Sequence, residues 1–171
     1  MAQNQLNLTE LSAFQRVILT TDGTLTDILE AYLLDHIRVI KLSEKALTTR
    51  APISALEIEA ATEIVERKIL LQGQARHNWL YAESIIVPAR LGEQFRRQLL
   101  ESNIPIGKLW VAHKLETFKE SIVSAREPAG KLAGYFNIRP EDPVLYRTYR
   151  VFSQQQLIMM ITEKFPESFF V

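Results

Sequence analysis

The chain has 171 residues and a mass of 19.6 kDa, so we expect a single domain over residues 1–171. Its 20 basic and 20 acidic residues balance to a formal net charge of zero, whereas nucleic-acid-binding domains are usually basic, so we expect no nucleic-acid partner. The chain contains no cysteine, which excludes disulfides, thiolate metal sites and a cysteine nucleophile.

The sequence also bears on the compartment. No apolar run approaches the roughly 18–20 residues that a membrane-spanning helix needs. The opening segment MAQNQLNLTE has neither the basic start nor the apolar stretch of a secretory signal. We therefore expect a cytoplasmic protein without a membrane span. The hydrophobic share of 47% is typical of a globular chain and not of a disordered one.

Hydrophobic periodicity predicts two helices and then three strands in the first half of the chain. In chain order these are a helix over 9–19, a second helix directly after it, and strands over 36–47, 62–71 and 79–87. Thr9 is the expected N-cap of the first helix, and Thr26 or Asp27 that of the second. The segment 51–60 is ambiguous. A turn around Gly73 makes the last two strands a hairpin.

The second half of the chain adds shorter helices and a second set of strands. The predicted elements are a helix over 92–102, a turn over 103–107, a strand over 115–123, a short helix over 128–135, and strands over 146–152 and 157–165. The polar run 153–156 predicts another hairpin turn. Hairpins outnumber crossover units, so we predict an α+β fold. Its single, mainly antiparallel β-sheet has helices packed on one face.

A basic residue interrupts one apolar strand face. Residues two apart share a face of a strand, so Val65, Arg67, Ile69 and Leu71 point the same way. A buried guanidinium stays protonated and therefore needs an anion. Arg67 is thus a candidate for binding a carboxylate through two parallel hydrogen bonds.

An acidic residue interrupts the last strand in the same way. The residues that alternate onto its face are Leu157, Met159, Ile161, Glu163 and Phe165. A buried carboxyl either pairs with a cation or becomes a neutral donor. Two interpretations stay open. Either Arg67 and Glu163 neutralise each other or reach water at strand ends, or they stand at opposite ends of a closed apolar cavity. Such a cavity suits a small, flat acid that carries a hydroxyl.

Other features are less specific. The turns 22–24 and 105–107 contain glycine, so free backbone N–H groups there are candidates for anion binding, although both are also ordinary turns. Arg147, Arg150 and Lys164 alternate with aromatic residues, which predicts a solvated strand face, with an anion-binding surface as the alternative. The three histidines lack metal-ligand spacing, so we expect no metal.

Five segments, in order along the chain, resemble the chorismate pyruvate-lyases, also called 4-hydroxybenzoate synthases. The segments are VILTTDGTLT at 17–26, RKILL at 67–71, WLYAES at 79–84 with VP at 87–88, IPIGKL at 104–109, and ITEKFP at 161–166. The resemblance is to a divergent branch of that family. Arg67 and Glu163, which strand alternation had already isolated, fall inside two of the segments.

The resemblance implies a reaction and a set of roles. Chorismate loses its enolpyruvyl group as pyruvate and leaves 4-hydroxybenzoate, a precursor of quinone head groups, without a cofactor or metal. The resemblance implies that Arg67 binds the ring carboxylate of chorismate or a related aromatic acid. Glu163, expected to be protonated, would meet the hydroxyl or donate a proton to the departing group. Thr24 and Ile106 would bind through their backbone N–H groups.

Two departures from the enterobacterial form concern the shape of the cavity. Thr24 stands where that form has a bulky apolar residue, and Ile106 stands in place of a leucine. The same fold also occurs as the effector-binding domain of bacterial transcription regulators. A non-catalytic domain that binds a small aromatic acid is therefore the alternative hypothesis, although the zero net charge argues against DNA contact.

Overall fold

The structure is a computed structural model that describes residues 6–102, 104 and 106–171. The helices are α1 (Ala13–Thr20), α2 (Leu25–Leu33), α3 (Glu93–Glu101), α4 (Ile106–Ala112) and α5 (Ala133–Phe136). The strands are β1 (Arg38–Thr48), β2 (Glu63–Gln72), β3 (Asn78–Ile86), β4 (Thr117–Pro128), β5 (Pro143–Ser153) and β6 (Gln156–Pro166). No helix within the described ranges is both long enough and apolar enough to cross a membrane.

The strands form one six-stranded sheet in the order β1-β2-β3-β6-β5-β4. Every neighbouring pair is antiparallel. Two meanders, β1–β2–β3 and β4–β5–β6, build the two halves, and the pairing of β3 with β6 joins them at the centre. The predicted α+β class with an antiparallel sheet is confirmed.

Four helices cover the sheet face that carries Arg67, and they do so through two separate apolar clusters. The first joins α1 and α2 to the sheet through Ile18, Leu29, Leu71, Leu80 and Phe165. The second joins α3 and α4 to it through Phe95, Leu99, Leu109, Val151 and Ile161. Polar residues that lie between the two clusters are therefore sheltered from water on both sides.

The fifth helix packs on the opposite face of the sheet. Phe136 of α5 contacts the cluster of Leu70 and Tyr81, whose side chains alternate away from Arg67. The helices are thus concentrated on one face, as predicted, and α5 covers one end of the other face. This outer cluster keeps the central strands buried on both sides.

The N-cap of the first helix lies three residues later in the chain than predicted. Ser12 is its N-cap: the Ser12 hydroxyl accepts a hydrogen bond from the Gln15 amide at 3.1 Å, and the Gln15 side chain accepts one from the Ser12 amide at 3.0 Å. Thr9 lies in a preceding 3₁₀ turn, so its predicted capping role is wrong. The N-cap of α2 is Thr24, which precedes the predicted Thr26 or Asp27 by two or three residues.

We expect Ser12→Ala to lower the free energy of unfolding by about 1 kcal/mol, because it removes this capping box. The Ser12 hydroxyl also donates to the Phe170 carbonyl at 2.5 Å, so the C-terminal segment is loosened as well. Urea unfolding measures the effect. Thr9→Ala is the matched control and should change stability by less than about 0.5 kcal/mol. Equal effects of the two substitutions would contradict the assignment of the cap.

Three further differences from the predicted elements concern register and length. Strand β4 runs to Pro128 instead of ending at Val123, with a register shift between Ser121 and Val123. Helix α4 begins inside the predicted turn over 103–107, of which Asn103 and Pro105 lie outside the described residues. A register shift in β5–β6 moves Leu157 out of the row of Glu163 and into an apolar cluster of the other face.

Candidate active site

A cavity of about 70 Å³ lies between the two apolar clusters of the helix-covered face. Its walls are mostly apolar and include Leu71 and Leu80 from the first cluster and Trp110 and Ile161 from the second. The polar and charged residues that line it are Thr24, Thr26, Arg67, Ser84, Lys119, Tyr149 and Glu163. All four residues that the sequence singled out, Arg67, Glu163, Thr24 and Ile106, therefore border one cavity.

Arg67 enters this cavity from β2 as an incompletely neutralised cation. Its side chain is 4% exposed, and its Nε lies 3.8 Å from Oε2 of Glu44 on the neighbouring strand. Neither Nε nor Nη2 has a hydrogen-bond partner in the part of the chain that the structure describes. Burial lowers the pKa of Arg67, and the Glu44 carboxylate opposes that shift. The guanidinium thus retains the capacity to bind an anion.

Glu163 enters the cavity from β6 and has different partners. Its carboxylate accepts a short hydrogen bond from the Tyr149 hydroxyl and lies 3.4 Å from both Nε and Nη2 of Arg147. Burial, and then the Glu163 charge, raise the pKa of Tyr149 well above its usual range, so the phenol stays a donor. Tyr149 and Arg147 therefore both present donors to the Glu163 carboxylate.

Arg67 and Glu163 share a sheet face but do not neutralise each other. Across the sheet, Arg67 of β2 is paired with Ser84 of β3, which is paired with Ile161 of β6. Glu163 of β6 is paired with Ala82 of β3, which is paired with Ile69 of β2. Two strand spacings separate β2 from β6 by about 10 Å, which leaves room for a ring. Both side chains are buried, so neither reaches bulk water at a strand end. The interpretation of two opposed charges on one cavity is therefore the one that fits.

Thr24 and Ile106 stand at the N-terminal ends of two helices, α2 and α4, and both residues line the cavity. Thr24 is the N-cap of α2 and makes no side-chain capping bond, and Ile106 is the first residue of α4. In the connection between α1 and α2, the backbone carbonyls of Thr21 and Gly23 accept hydrogen bonds from Arg147 and Lys119, at 2.7 and 2.9 Å. This connection therefore fixes two cations beside the cavity.

Sequence reasoning missed Arg147, which is 5% exposed. Its predicted place on a solvated strand face is wrong, because Arg147 alternates with Tyr149 and Val151 onto the covered face. Counting by two from the buried Val151 would have found it. Arg150 and Lys164 do lie on the opposite face, where they pair with acidic residues.

Sequence reasoning also missed Lys119 of β4. Its Nζ lies 5.3 Å from the ring centroid of Tyr149 and 5.4 Å from that of Trp110. Burial lowers the pKa of Lys119, and the nearby Glu163 opposes the shift. Lys119 and Tyr149 also border an adjoining cleft of about 540 Å³. Nothing in the sequence around Lys119 marks it, because β4 is an edge strand whose residues alternate only weakly in polarity.

Solved structures with this architecture define the class of the fold. The effector domain of PhnF from Mycobacterium smegmatis superposes with a TM-score of 0.67 at 11% identity, covering 86% of this chain and 90% of that one. A GntR-family transcriptional regulator from Bacillus cereus superposes with a TM-score of 0.60 at 10% identity, covering 79% and 94%. At this identity the likeness concerns the fold alone.

Comparison with the sequences of known proteins identifies the family to which the chain belongs. Chorismate pyruvate-lyases of Mycobacterium tuberculosis strain H37Rv and Mycobacterium leprae strain TN are each 32% identical to this chain over 162 residues. The matches cover 91% of this chain and 80% and 75% of theirs. The family model described as chorismate pyruvate-lyase Rv2949c-like matches residues 19–170. The chain belongs to this family of carbon–oxygen lyases, which confirms the resemblance drawn from the sequence.

Proposed function

We propose that this protein eliminates pyruvate from chorismate and leaves 4-hydroxybenzoate in the cavity between β2, β6 and α4. In this reaction the ring loses a proton from C4, and the bond between C3 and the enolpyruvyl oxygen breaks with its electron pair on oxygen. The enolate released then takes up one proton on carbon to become pyruvate. Protons and electrons therefore balance without an oxidant, and aromatisation supplies the driving force.

The observation that carries this proposal is the buried guanidinium of Arg67. Two of its nitrogen atoms have no hydrogen-bond partner among the described residues, and Arg67 is one of the residues that line a mostly apolar cavity. A planar carboxylate on a flat ring supplies the two acceptors that the guanidinium fork needs. Arg67 is therefore proposed to bind the ring carboxylate and to fix the orientation of the ring in the cavity.

Glu163 is proposed to bind the ring hydroxyl at the other end. Its carboxylate is anchored by Tyr149 and Arg147 and keeps further acceptor capacity toward the cavity. A hydroxyl para to the carboxylate lies on the far side of the ring, and β6 is separated from β2 by one intervening strand, β3. Of the two roles expected for Glu163, the surroundings support hydrogen bonding to the hydroxyl over proton donation to the departing group.

The backbone at Thr24 and Ile106 is proposed to share the charge of the ring carboxylate. Both residues stand at the beginning of a helix, where N–H groups lack partners within the helix. Because a backbone donor does not depend on side-chain identity, threonine and isoleucine at these positions are compatible with the role. The protein's contribution is thus positioning and charge stabilisation in a site of low polarity.

The proposal is tested by incubating the purified protein with chorismate and following pyruvate and 4-hydroxybenzoate. We expect both products in equal amounts and in many-fold excess over the protein. Stoichiometric binding of 4-hydroxybenzoate without product formation would instead support the effector-binding alternative. Formation of pyruvate with a different aromatic product would contradict the proposed site of elimination.

A further inference from the structure

The cations around the cavity outnumber the anions that neutralise them. Arg67 faces Glu44 at 3.8 Å, and Arg147 faces Glu163 at 3.4 Å. Lys119 forms no ion pair with any residue in the described ranges. Its ammonium donates one hydrogen bond, to the Gly23 carbonyl at 2.9 Å, and so keeps two donors. One positive charge beside the cavity is therefore available to a ligand.

We propose that Lys119 binds the carboxylate of the enolpyruvyl arm and stabilises the enolate as it departs. This inference rests on the proposed function, since it assigns the second of the two carboxylates that chorismate carries. Arg67 accounts for the carboxylate on the ring. Lys119 lies on another wall of the same cavity, at its border with the adjoining cleft.

The position of the ammonium is well defined by its surroundings. Lys119 pairs in register with Val151, whose side chain is fully buried on the covered face, so the lysine projects toward the cavity. The Gly23 carbonyl and the rings of Trp110 and Tyr149 hold the ammonium by a hydrogen bond and two cation–π contacts. These neutral partners orient the charge without cancelling it.

The chemistry of the departing group suits this placement. In the enolpyruvyl arm, the ether oxygen and the carboxylate are attached to the same carbon atom. When the bond between C3 and oxygen breaks, its electron pair remains on that oxygen, so the enolate becomes a dianion. An ammonium that binds the carboxylate therefore also stands beside the new negative charge, and it stabilises the transition state more than the bound substrate. Its depressed pKa further favours it as a strong hydrogen-bond donor.

The test compares a ligand that has the arm with one that lacks it. We expect Lys119→Met to lower kcat/KM for chorismate about 100-fold. The Kd of 4-hydroxybenzoate, measured by calorimetry, should change less than about threefold, because the product has lost the arm. Lys119→Arg should restore kcat/KM to within about tenfold of the unsubstituted protein. Equal weakening of both ligands, or no loss of turnover, would overturn the inference.

A matched control and a second readout keep the two proposals separable. Lys164→Met removes a lysine of β6 that pairs with Glu127 on the opposite face, and it should leave both constants unchanged. If the unsubstituted protein forms no product, the proposed function fails. The role of Lys119 is then read from binding alone, where Lys119→Met should weaken chorismate selectively and leave 4-hydroxybenzoate unaffected.

Discussion

Replacing Arg67 by methionine is expected to raise the Kd of 4-hydroxybenzoate by at least about 30-fold, because truncating one side of a buried, hydrogen-bonded charge pair costs about 2–5 kcal/mol. Without the guanidinium, the ligand carboxylate would lie in a mostly apolar cavity and would lose the two charged hydrogen-bond donors of Arg67. Methionine preserves the length and much of the volume of the side-chain stem. The loss should therefore come from charge, and not from collapse of the cavity walls.

The same substitution should not reduce the stability of the ligand-free protein. Glu44 keeps a second cationic partner, since its Oε2 lies 3.2 Å from Nζ of Lys41, and its side chain is 22% exposed. Arg67→Met also removes two buried nitrogen atoms that lack partners within the described residues. We expect Tm without ligand to remain unchanged or to rise. In this variant the Kd of 4-hydroxybenzoate should therefore rise while the Tm of the ligand-free protein does not fall.

Lys68→Met is the matched control for Arg67→Met. Lys68 is the next residue of β2, points to the opposite face and is exposed. It should leave the Kd of 4-hydroxybenzoate unchanged. A comparable loss of affinity in both variants would point to a general effect of positive charge and would argue against a specific carboxylate site at Arg67.

The order of helices and strands was largely readable because each hairpin carries its own local signal. Alternation of apolar residues and polar turns identified the strands of both meanders to within a few residues, except at β4. The pairing of β3 with β6 had no such signal, since residues 87–155 separate the two strands in the chain. Long-range pairing depends on which faces remain to be buried, and this is a property of the assembled sheet.

The sequence-based predictions failed where a helix cap, a short helix or a register shift determined the structure and hydrophobic periodicity did not. The cap of α1 was readable in principle, since Ser12 and Gln15 have the spacing of a capping box. Helix α4, Ile106–Ala112, is only 7 residues long, which is too short to establish a period of its own. Register shifts in β4 and near Leu157 reverse the alternation that sequence reasoning depends on.

Only some residues of the candidate site could be predicted from the sequence, for a similar reason. Arg67 and Glu163 stood out because each is the one charged residue of an apolar row. Arg147 did not stand out in the sequence, because Thr148 and Arg150, which point to the other face of the same strand, are polar as well. Its burial depends on the connection between α1 and α2, which supplies the Thr21 carbonyl at 2.7 Å. A contact between residues so far apart in the chain leaves no local pattern.

Replacing Glu163 by glutamine is expected to lower kcat for chorismate by about 100-fold, the size of effect typical of removing one electrostatic contact in an active site. Glutamine preserves the shape of the side chain and one acceptor oxygen, but it removes the negative charge that binds the hydroxyl of the ring. The change also leaves Arg147 buried without a counter-ion. We therefore expect the free energy of unfolding to fall by about 2 kcal/mol.

A second substitution separates these two effects. In the double variant Glu163→Gln with Arg147→Met, both members of the ion pair are neutral, so stability should return toward that of the unsubstituted protein. Turnover should not return, because the carboxylate is still missing. If stability and turnover recovered together, the loss in the single variant would be due to a disturbed fold, and the functional role of Glu163 would be rejected.

The opposite face of the sheet offers a matched control for Glu163. There the Tyr81 hydroxyl donates to Glu83 at 3.0 Å, a tyrosine–carboxylate pair like that of Tyr149 and Glu163 but away from the cavity. Steady-state kinetics of Glu83→Gln should match the unsubstituted protein, because this pair contacts no substrate. A similar fall of kcat in Glu83→Gln would mean that the sheet responds to the loss of any such pair, and the assignment of Glu163 to the substrate hydroxyl would then lose its basis.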